Sequence, residues 1–97
     1  MVTDLRIYNK ILSKIIQEQE NILGSLAWQI AEKFESIVIA NKSTFDVRIA
    51  SEPKLVIDAF VYRCEKIFGS FARDVSKQAV AYILDNIPKE DIPSRLA

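Results

Sequence analysis

The side chains that most often carry out catalysis are scarce in this chain, which has one cysteine and no histidine among its 97 residues. Histidine is the commonest general base and a frequent metal ligand. Its absence, with only one thiol present, excludes a cysteine–histidine nucleophile pair and a thiolate zinc site within one chain. The two glycines, Gly24 and Gly69, stand alone, so the sequence has neither a phosphate-binding loop nor a dinucleotide-binding glycine pattern.

The thirteen acidic residues could supply a paired-carboxylate site, but nothing in their spacing selects a pair. We therefore expect a non-enzymatic protein without a cofactor or a metal ion. Thirteen lysines and arginines balance the acids, whereas proteins that bind nucleic acid or anionic membranes usually carry a basic excess. We expect neither partner, although a basic groove formed across a dimer would accommodate nucleic acid.

Three features of the sequence bear on where the protein works. No uncharged apolar run approaches the ~20 residues of a membrane span. The first residues lack the basic and apolar regions of a signal peptide. A single cysteine cannot form an intrachain disulfide, which gives no indication of secretion. We expect a soluble, cytoplasmic protein.

The one thiol, Cys64, falls in the middle of the apolar face of a helix predicted over residues 53–68. Free cysteine behaves as a small hydrophobic residue and is commonly buried. A reactive thiol would need exposure and a lowered pKa. We expect Cys64 to be a core residue.

Hydrophobic periodicity predicts the elements that position these side chains. From Leu5 to Phe34 the apolar residues recur at helical spacing within one arc, and no proline interrupts them. This pattern predicts a single long helix over residues 4–35. Such a helix would be ~48 Å long, which exceeds the expected diameter of a compact domain of this size. Part of its apolar stripe would then need a second chain.

The rest of the chain predicts a hairpin followed by two helices. A β-branched, apolar run over residues 36–40, a turn-like break, and an alternating apolar and polar pattern over 44–49 predict an antiparallel hairpin over residues 36–50. Helices follow over about 53–68 and 71–86, ended by Gly69 and Pro88, and a polar tail covers 88–97. The order α-β-β-α-α predicts one mostly helical α+β domain. Because an isolated hairpin is marginal in water, it too indicates a second copy.

The apolar stripe of the long predicted helix is the candidate self-association surface. Its proposed members are Leu12, Ile15, Gln19, Ile22 and Leu26. Gln19 stands at the centre of the apolar arc, and two interpretations are open. It is either a solvated gap where the stripe leaves the core, or a polar residue in a helix–helix seam that fixes register and partner number.

Candidate contacts with another protein lie elsewhere on the same predicted helix. Trp28 is on the side opposite the stripe, where either later elements cover it or a partner binds it, since tryptophan is a favoured interface anchor. Arg6, Lys10 and Lys14 follow one another at i+4 spacing on one face. This row is either a solvated face or a docking strip for phosphate or an acidic partner.

Together these features predict a non-enzymatic interaction module that forms a homodimer or a higher homo-oligomer and binds another protein. Its role would be regulatory, adaptor or assembly. The alternative is a small-molecule-binding sensor domain with an apolar cavity between the long helix and the two C-terminal helices. The aromatic residues proposed to line that cavity are Phe60, Phe68, Phe71 and Tyr82.

Overall fold

The computed structural model describes residues 3–97 as four α-helices and one two-stranded antiparallel sheet. The elements are α1 Leu5–Leu23, α2 Leu26–Glu32, β1 Ile37–Asn41, β2 Asp46–Ile49, α3 Pro53–Phe68 and α4 Ser70–Leu84. Two 3-10 turns, Lys89–Asp91 and Ser94–Leu96, complete the described chain. The predicted α+β class is confirmed. No helix within residues 3–97 has both the length and the apolar character to cross a membrane.

The prediction of one long helix over residues 4–35 is wrong, because Gly24 interrupts the helix and divides it into α1 and α2. Gly24 has a φ of 60°, a backbone conformation that favours glycine, and its N–H donates to the Glu20 carbonyl oxygen at 2.8 Å. Periodicity missed the break because apolar residues on both sides still match a helical repeat. At 19 residues, α1 is about 29 Å long and fits within molecular extents of 36 × 28 × 20 Å. The length argument for a second chain therefore fails.

α1 is the central element, and it packs against α4, β2 and α3. Asp4 begins the helix, where its carboxylate accepts a hydrogen bond from the Arg6 N–H at 2.8 Å. The neighbouring Arg6 side chain lowers the pKa of the Asp4 carboxyl. The fully buried apolar side chains of α1 are Ile11, Leu12, Ile15 and Ile16. Most of the stripe that the sequence displays is therefore the inner face of the domain's own core.

The predicted hairpin is confirmed, and α1 of the same chain covers it. The Ile49 N–H donates to Asn9 Oδ1 at 2.9 Å, and Ser13 Oγ donates to the Phe45 carbonyl oxygen at 2.6 Å. The apolar face predicted for the second strand turns inward, with Val47 and Ile49 buried. This packing supplies the support that an isolated hairpin lacks, so the hairpin does not require a second copy.

The residues after Pro88 form a segment docked on the core rather than the polar tail that the sequence suggests. Pro93 and Leu96 are buried. The Tyr8 hydroxyl donates to the Asp91 carbonyl oxygen at 2.7 Å, and Thr3 Oγ1 donates to Asp91 Oδ2 at 2.6 Å. The segment therefore connects the start of α1 to the surface of α3 and α4, against which its last turn packs.

Candidate functional site

The five residues proposed for self-association lie within the fold rather than on an open face. Leu12, Ile15 and Gln19 have no exposed surface, and Ile22 and Leu26 are half-buried. α3, α4 and the hairpin fold back onto this stripe and cover it. The predicted self-association surface is corrected at Leu12, Ile15 and Gln19, because a contact between folded copies cannot use side chains that the chain already buries.

Gln19 does lie in a helix–helix seam, but the seam joins α1 to α4 of the same chain. Its Nε2 donates to the Ala72 carbonyl oxygen and to Ser76 Oγ, both at 2.9 Å. Ser76 Oγ donates in turn to the Ala72 carbonyl oxygen at 2.9 Å. Gln19 Oε1 is buried and has no hydrogen-bond partner among residues 3–97. Neither a solvated gap nor a seam between two chains describes this arrangement.

Trp28 is covered by the hairpin, which is one of the two interpretations that the sequence left open. Its side chain is 5% exposed and stacks on Phe45, with ring centroids 5.5 Å apart. The indole Nε1 donates to Glu20 Oε2 at 2.6 Å. The break at Gly24 allows α2 to turn relative to α1, so the side of the helix opposite the stripe also faces protein. Trp28 is not available as a partner contact.

The basic residues of α1 do not converge on one site. The Arg6 side chain is 90% exposed and binds the Asp4 carboxylate at 2.9 Å. The Lys10 ammonium group lies 5.9 Å from the centre of the Tyr82 ring. Lys14 is half-buried. Arg6 and Lys10 are thus engaged with their own neighbours.

Cys64 is a core residue, as predicted. It is fully buried on α3, and burial, followed by the charge of Glu65, raises the pKa of the thiol to about 12. A nucleophilic thiol needs the opposite shift. Within residues 3–97 no cluster of three or more histidine, cysteine or acidic side chains is arranged to hold a metal ion.

The aromatic residues proposed to line an apolar cavity do not do so. Phe60 is fully buried in the packed core, whereas Phe68, Phe71 and Tyr82 are 42%, 55% and 53% exposed. The Phe68 and Phe71 rings lie 5.8 Å apart at the corner where Gly69 joins α3 to α4. These two rings belong to the molecular surface, so the lining role proposed for them is corrected.

An open cleft of about 430 Å³ lies between α3 and the region formed by α2 and the two residues after it. Four of its seven lining residues are apolar or aromatic, and three are basic. The lining consists of Ile30, Phe34, Tyr62 and Ile67 with Lys33, Arg63 and Lys66. We call this feature the α2–α3 cleft.

Helical spacing explains why these side chains share one surface. Arg63 and Lys66 are three residues apart on one face of α3, and Lys33 caps the end of α2 three residues after Ile30. The floor of the cleft joins the core, because the Phe34 ring lies 6.2 Å from the ring of buried Phe60. The walls remain accessible, since Tyr62 and Ile67 are 40% and 51% exposed.

The charge of the α2–α3 cleft is uniformly positive. Its lining holds three basic side chains and no acidic one. Two acids that neighbour these residues in the sequence are paired elsewhere. Glu32 binds Lys42, and Glu65 accepts a hydrogen bond from Arg95 Nη1 at 2.8 Å. The lining therefore presents cations and no carboxylate to an anion that enters the cleft.

Sequence reasoning missed the α2–α3 cleft because no single helix displays it. Lys33 was part of the long predicted helix, whereas Arg63 and Lys66 lie on the polar side of another helix. Only the packing of α2 against α3 places them together. The sequence does show the apolar Ile67 directly after the basic Lys66. That pattern does not indicate which residues form the opposite wall of the cleft.

The α2–α3 cleft offers the means for binding an amphipathic anion. The lysine and arginine side chains can donate charge-assisted hydrogen bonds to carboxylate or phosphate oxygens. The apolar floor and walls can bury an attached hydrocarbon or aromatic group. Comparisons with protein-family models, curated proteins and solved structures find no match to this chain.

Proposed function

We propose that this protein is a non-enzymatic interaction module that binds another protein through the α2–α3 cleft. The partner supplies an acidic segment with at least one large apolar side chain. One observation carries the proposal: the cleft combines an apolar lining with three cations and contains no acid. This combination is complementary to a segment that alternates carboxylates with apolar residues.

The expected energetics fit a modest and salt-dependent interaction. Burying one large apolar side chain contributes about 1.5–3 kcal/mol. Each carboxylate paired with an exposed cation adds about 0.2–1 kcal/mol, and salt screens that part. The apolar contact therefore provides affinity, and Lys33, Arg63 and Lys66 provide selectivity for acidic partners.

The surface around the cleft favours a protein segment over a small molecule. Outside the lining, Leu55 lies seven residues before Tyr62 on the same face of α3 and is 67% exposed. Most monomeric surfaces scatter such residues singly. Here Leu55 and Tyr62 share one face of α3, and Ile67 lies beside Tyr62 in the cleft. A chain longer than the cleft would therefore find further apolar contacts along the same helix.

Fluorescence anisotropy with designed peptides tests this proposal. The probe is a fluorescein-labelled amphipathic peptide of glutamate and leucine. One matched peptide replaces each glutamate with lysine, and another replaces each leucine with serine. We expect only the acidic, apolar peptide to bind, with an affinity that falls as salt increases. Equal binding of the lysine peptide, or no binding of the acidic one, would contradict the proposal.

Substitutions in the cleft assign the binding to this surface. Arg63→Ala and Lys66→Ala are each expected to weaken binding about two- to fivefold. Arg48→Ala is the matched control, because Arg48 is an exposed cation on β2 outside the cleft. Unchanged affinity in both cleft variants would place the peptide elsewhere.

The same measurements distinguish other occupants of the cleft. Octanoate displacing the peptide at comparable concentration would favour a small-molecule site, which is the alternative function. If the molecular mass rises with protein concentration and Lys66→Glu abolishes this rise, the occupant of the cleft is a second copy of the chain. Either result would replace the proposed partner.

A further inference from the structure

The last turn of the chain, Ser94–Leu96, is bound to α3 by directed polar contacts. Asp58 Oδ2 accepts hydrogen bonds from Ser94 N at 3.1 Å and Ser94 Oγ at 2.8 Å. Asp58 Oδ1 accepts a third from Arg95 N at 2.9 Å. Leu96 adds an apolar anchor that is 2% exposed. The backbone on both sides of the Arg95 side chain is therefore fixed.

The Arg95 side chain lies across α3 and contacts two residues one helical turn apart. Its Nη1 donates to Glu65 Oε2 at 2.8 Å, and its guanidinium carbon lies 4.5 Å from the centre of the Tyr62 ring. Arg73 of α4 supports the arrangement, because its Nε donates to the Arg95 carbonyl oxygen at 2.9 Å. A planar guanidinium group suits simultaneous stacking and carboxylate binding, which a lysine cannot reproduce.

Tyr62 links this contact to the α2–α3 cleft. The ring is part of the cleft lining, and it has the Arg95 guanidinium group and the Lys66 ammonium group nearby, at 4.5 Å and 5.3 Å from its centre. Removing Arg95 would leave the ring with fewer neighbours to hold its rotamer. Tyr62 would then no longer form a fixed wall of the cleft.

Glu65 gives Arg95 a second effect on the cleft. Its carboxylate has Arg95 Nη1 at 2.8 Å and Arg73 Nε at 3.8 Å. Glu65 also precedes Lys66, a cation of the cleft, in the sequence. Without Arg95, the closest partner of this carboxylate is lost, and its negative charge opposes the field of the three basic residues.

We infer that Arg95 is a positioning residue for the α2–α3 cleft, holding the Tyr62 wall and offsetting the Glu65 charge. The docked C-terminal turn thereby sets the affinity of the cleft for an acidic segment. This inference rests on the proposed function. It assigns a role to residues that line no part of the cleft themselves.

The first test measures binding of the acidic, apolar peptide to C-terminal variants. Arg95→Ala is expected to weaken binding about three- to tenfold, whereas Lys89→Ala, in the same segment, leaves it unchanged. Arg95→Lys restores the charge without the planar stack and recovers part of the affinity. The double variant Arg95→Ala, Glu65→Gln recovers only the part of the affinity that was lost to the uncompensated Glu65 charge.

A second readout follows Tyr62 directly. The ring resonances of the three tyrosines are assigned by NMR with the help of Tyr62→Phe. Arg95→Ala is expected to shift the Tyr62 signals and to leave those of Tyr82 in place. Val80→Ala is a control for loss of stability, because it truncates a buried α4 side chain and should not change the affinity of folded protein.

The outcomes separate this inference from the proposed function. No binding by the unmodified protein would overturn the proposed function and the affinity effect with it. Binding by the unmodified protein and by Arg95→Ala with equal affinity, or a Tyr62 signal that does not move, would overturn the role of Arg95 alone. If Arg95→Ala does not fold, Arg95→Lys provides the test. We then expect a smaller loss of peptide affinity and a shift of the Tyr62 signals.

Discussion

The Gln19 side chain on α1 donates a hydrogen bond to Ser76 Oγ on α4 at 2.9 Å, in a part of the interface where both residues are fully buried. The same amide nitrogen donates to the Ala72 carbonyl oxygen. Buried polar pairs of this kind restrict how two helices can slide past each other, and their net contribution to stability is often small. We therefore expect this seam to set the register between α1 and α4.

Replacing Gln19 with leucine tests that assignment. Gln19→Leu removes the orphaned Oε1 and adds apolar volume, so we expect the free energy of unfolding to change by less than about 1 kcal/mol. Ser76 keeps its bond to the Ala72 carbonyl oxygen. Gln19→Ala should instead cost about 2–4 kcal/mol, because it leaves a cavity. Urea denaturation measures both changes.

Light scattering completes the Gln19 experiment. Because Gln19 contacts only its own chain in this seam, Gln19→Leu should leave the molecular mass unchanged. A change in mass with the substitution would restore the earlier prediction of a seam between two copies. Equal destabilisation by leucine and alanine would show that the hydrogen bonds, rather than the buried volume, dominate.

The outcome at Gln19 shows what the sequence could predict. Periodicity identified the inner face of α1, the hairpin and the bounds of α3, because each depends on the local alternation of apolar residues. It could not tell whether the partner of that face is the same chain or another one. The decision depended on Gly24, whose single backbone conformation shortens the helix. The α2–α3 cleft and the Arg95 contact join residues distant in the sequence, so local patterns did not reveal them.

Replacing Gly24 with alanine tests whether the helix break is required. Its φ of 60° and ψ of −141° lie where a side chain is strained, although an added Cβ would meet no atom within 4 Å. The cost is therefore conformational, and we expect Gly24→Ala to lower the free energy of unfolding by about 1–3 kcal/mol. Chemical denaturation followed by circular dichroism provides the measurement.

The matched control for Gly24 is the next residue, Ser25, whose φ of −61° and ψ of −15° carry no such strain. Ser25→Ala has no side-chain cap hydrogen bond to lose, so its effect should stay within about 0.5 kcal/mol. If Gly24→Ala were as stable as the unmodified protein, the break would not need glycine. A gain in helical signal with retained stability would favour the continuous helix that the sequence suggested.

Cys64 is expected to make the protein less stable as the pH becomes alkaline. Burial raises the pKa of its thiol from an ordinary value of 9.0 to about 12. Well below pH 9.0 the thiol is protonated in both the folded and unfolded states, so its contribution is fully present. As the pH rises from there toward about 12, the unfolded chain loses the proton first and the free energy of unfolding falls. The raised pKa of Tyr8, caused mainly by burial, acts in the same direction.

Urea denaturation at pH ~7 and pH ~10.5 measures this effect. Cys64→Ala should lower the free energy of unfolding by about 1–2 kcal/mol near neutral pH, because it removes a buried sulfur atom. It should also reduce the loss of stability between the two pH values, and the loss that remains is assigned to groups such as Tyr8. A loss that is identical in both proteins would show that the thiol ionises as freely in the folded state as in the unfolded state. Slow labelling of the native protein by a thiol reagent, accelerated in urea, would independently support its burial.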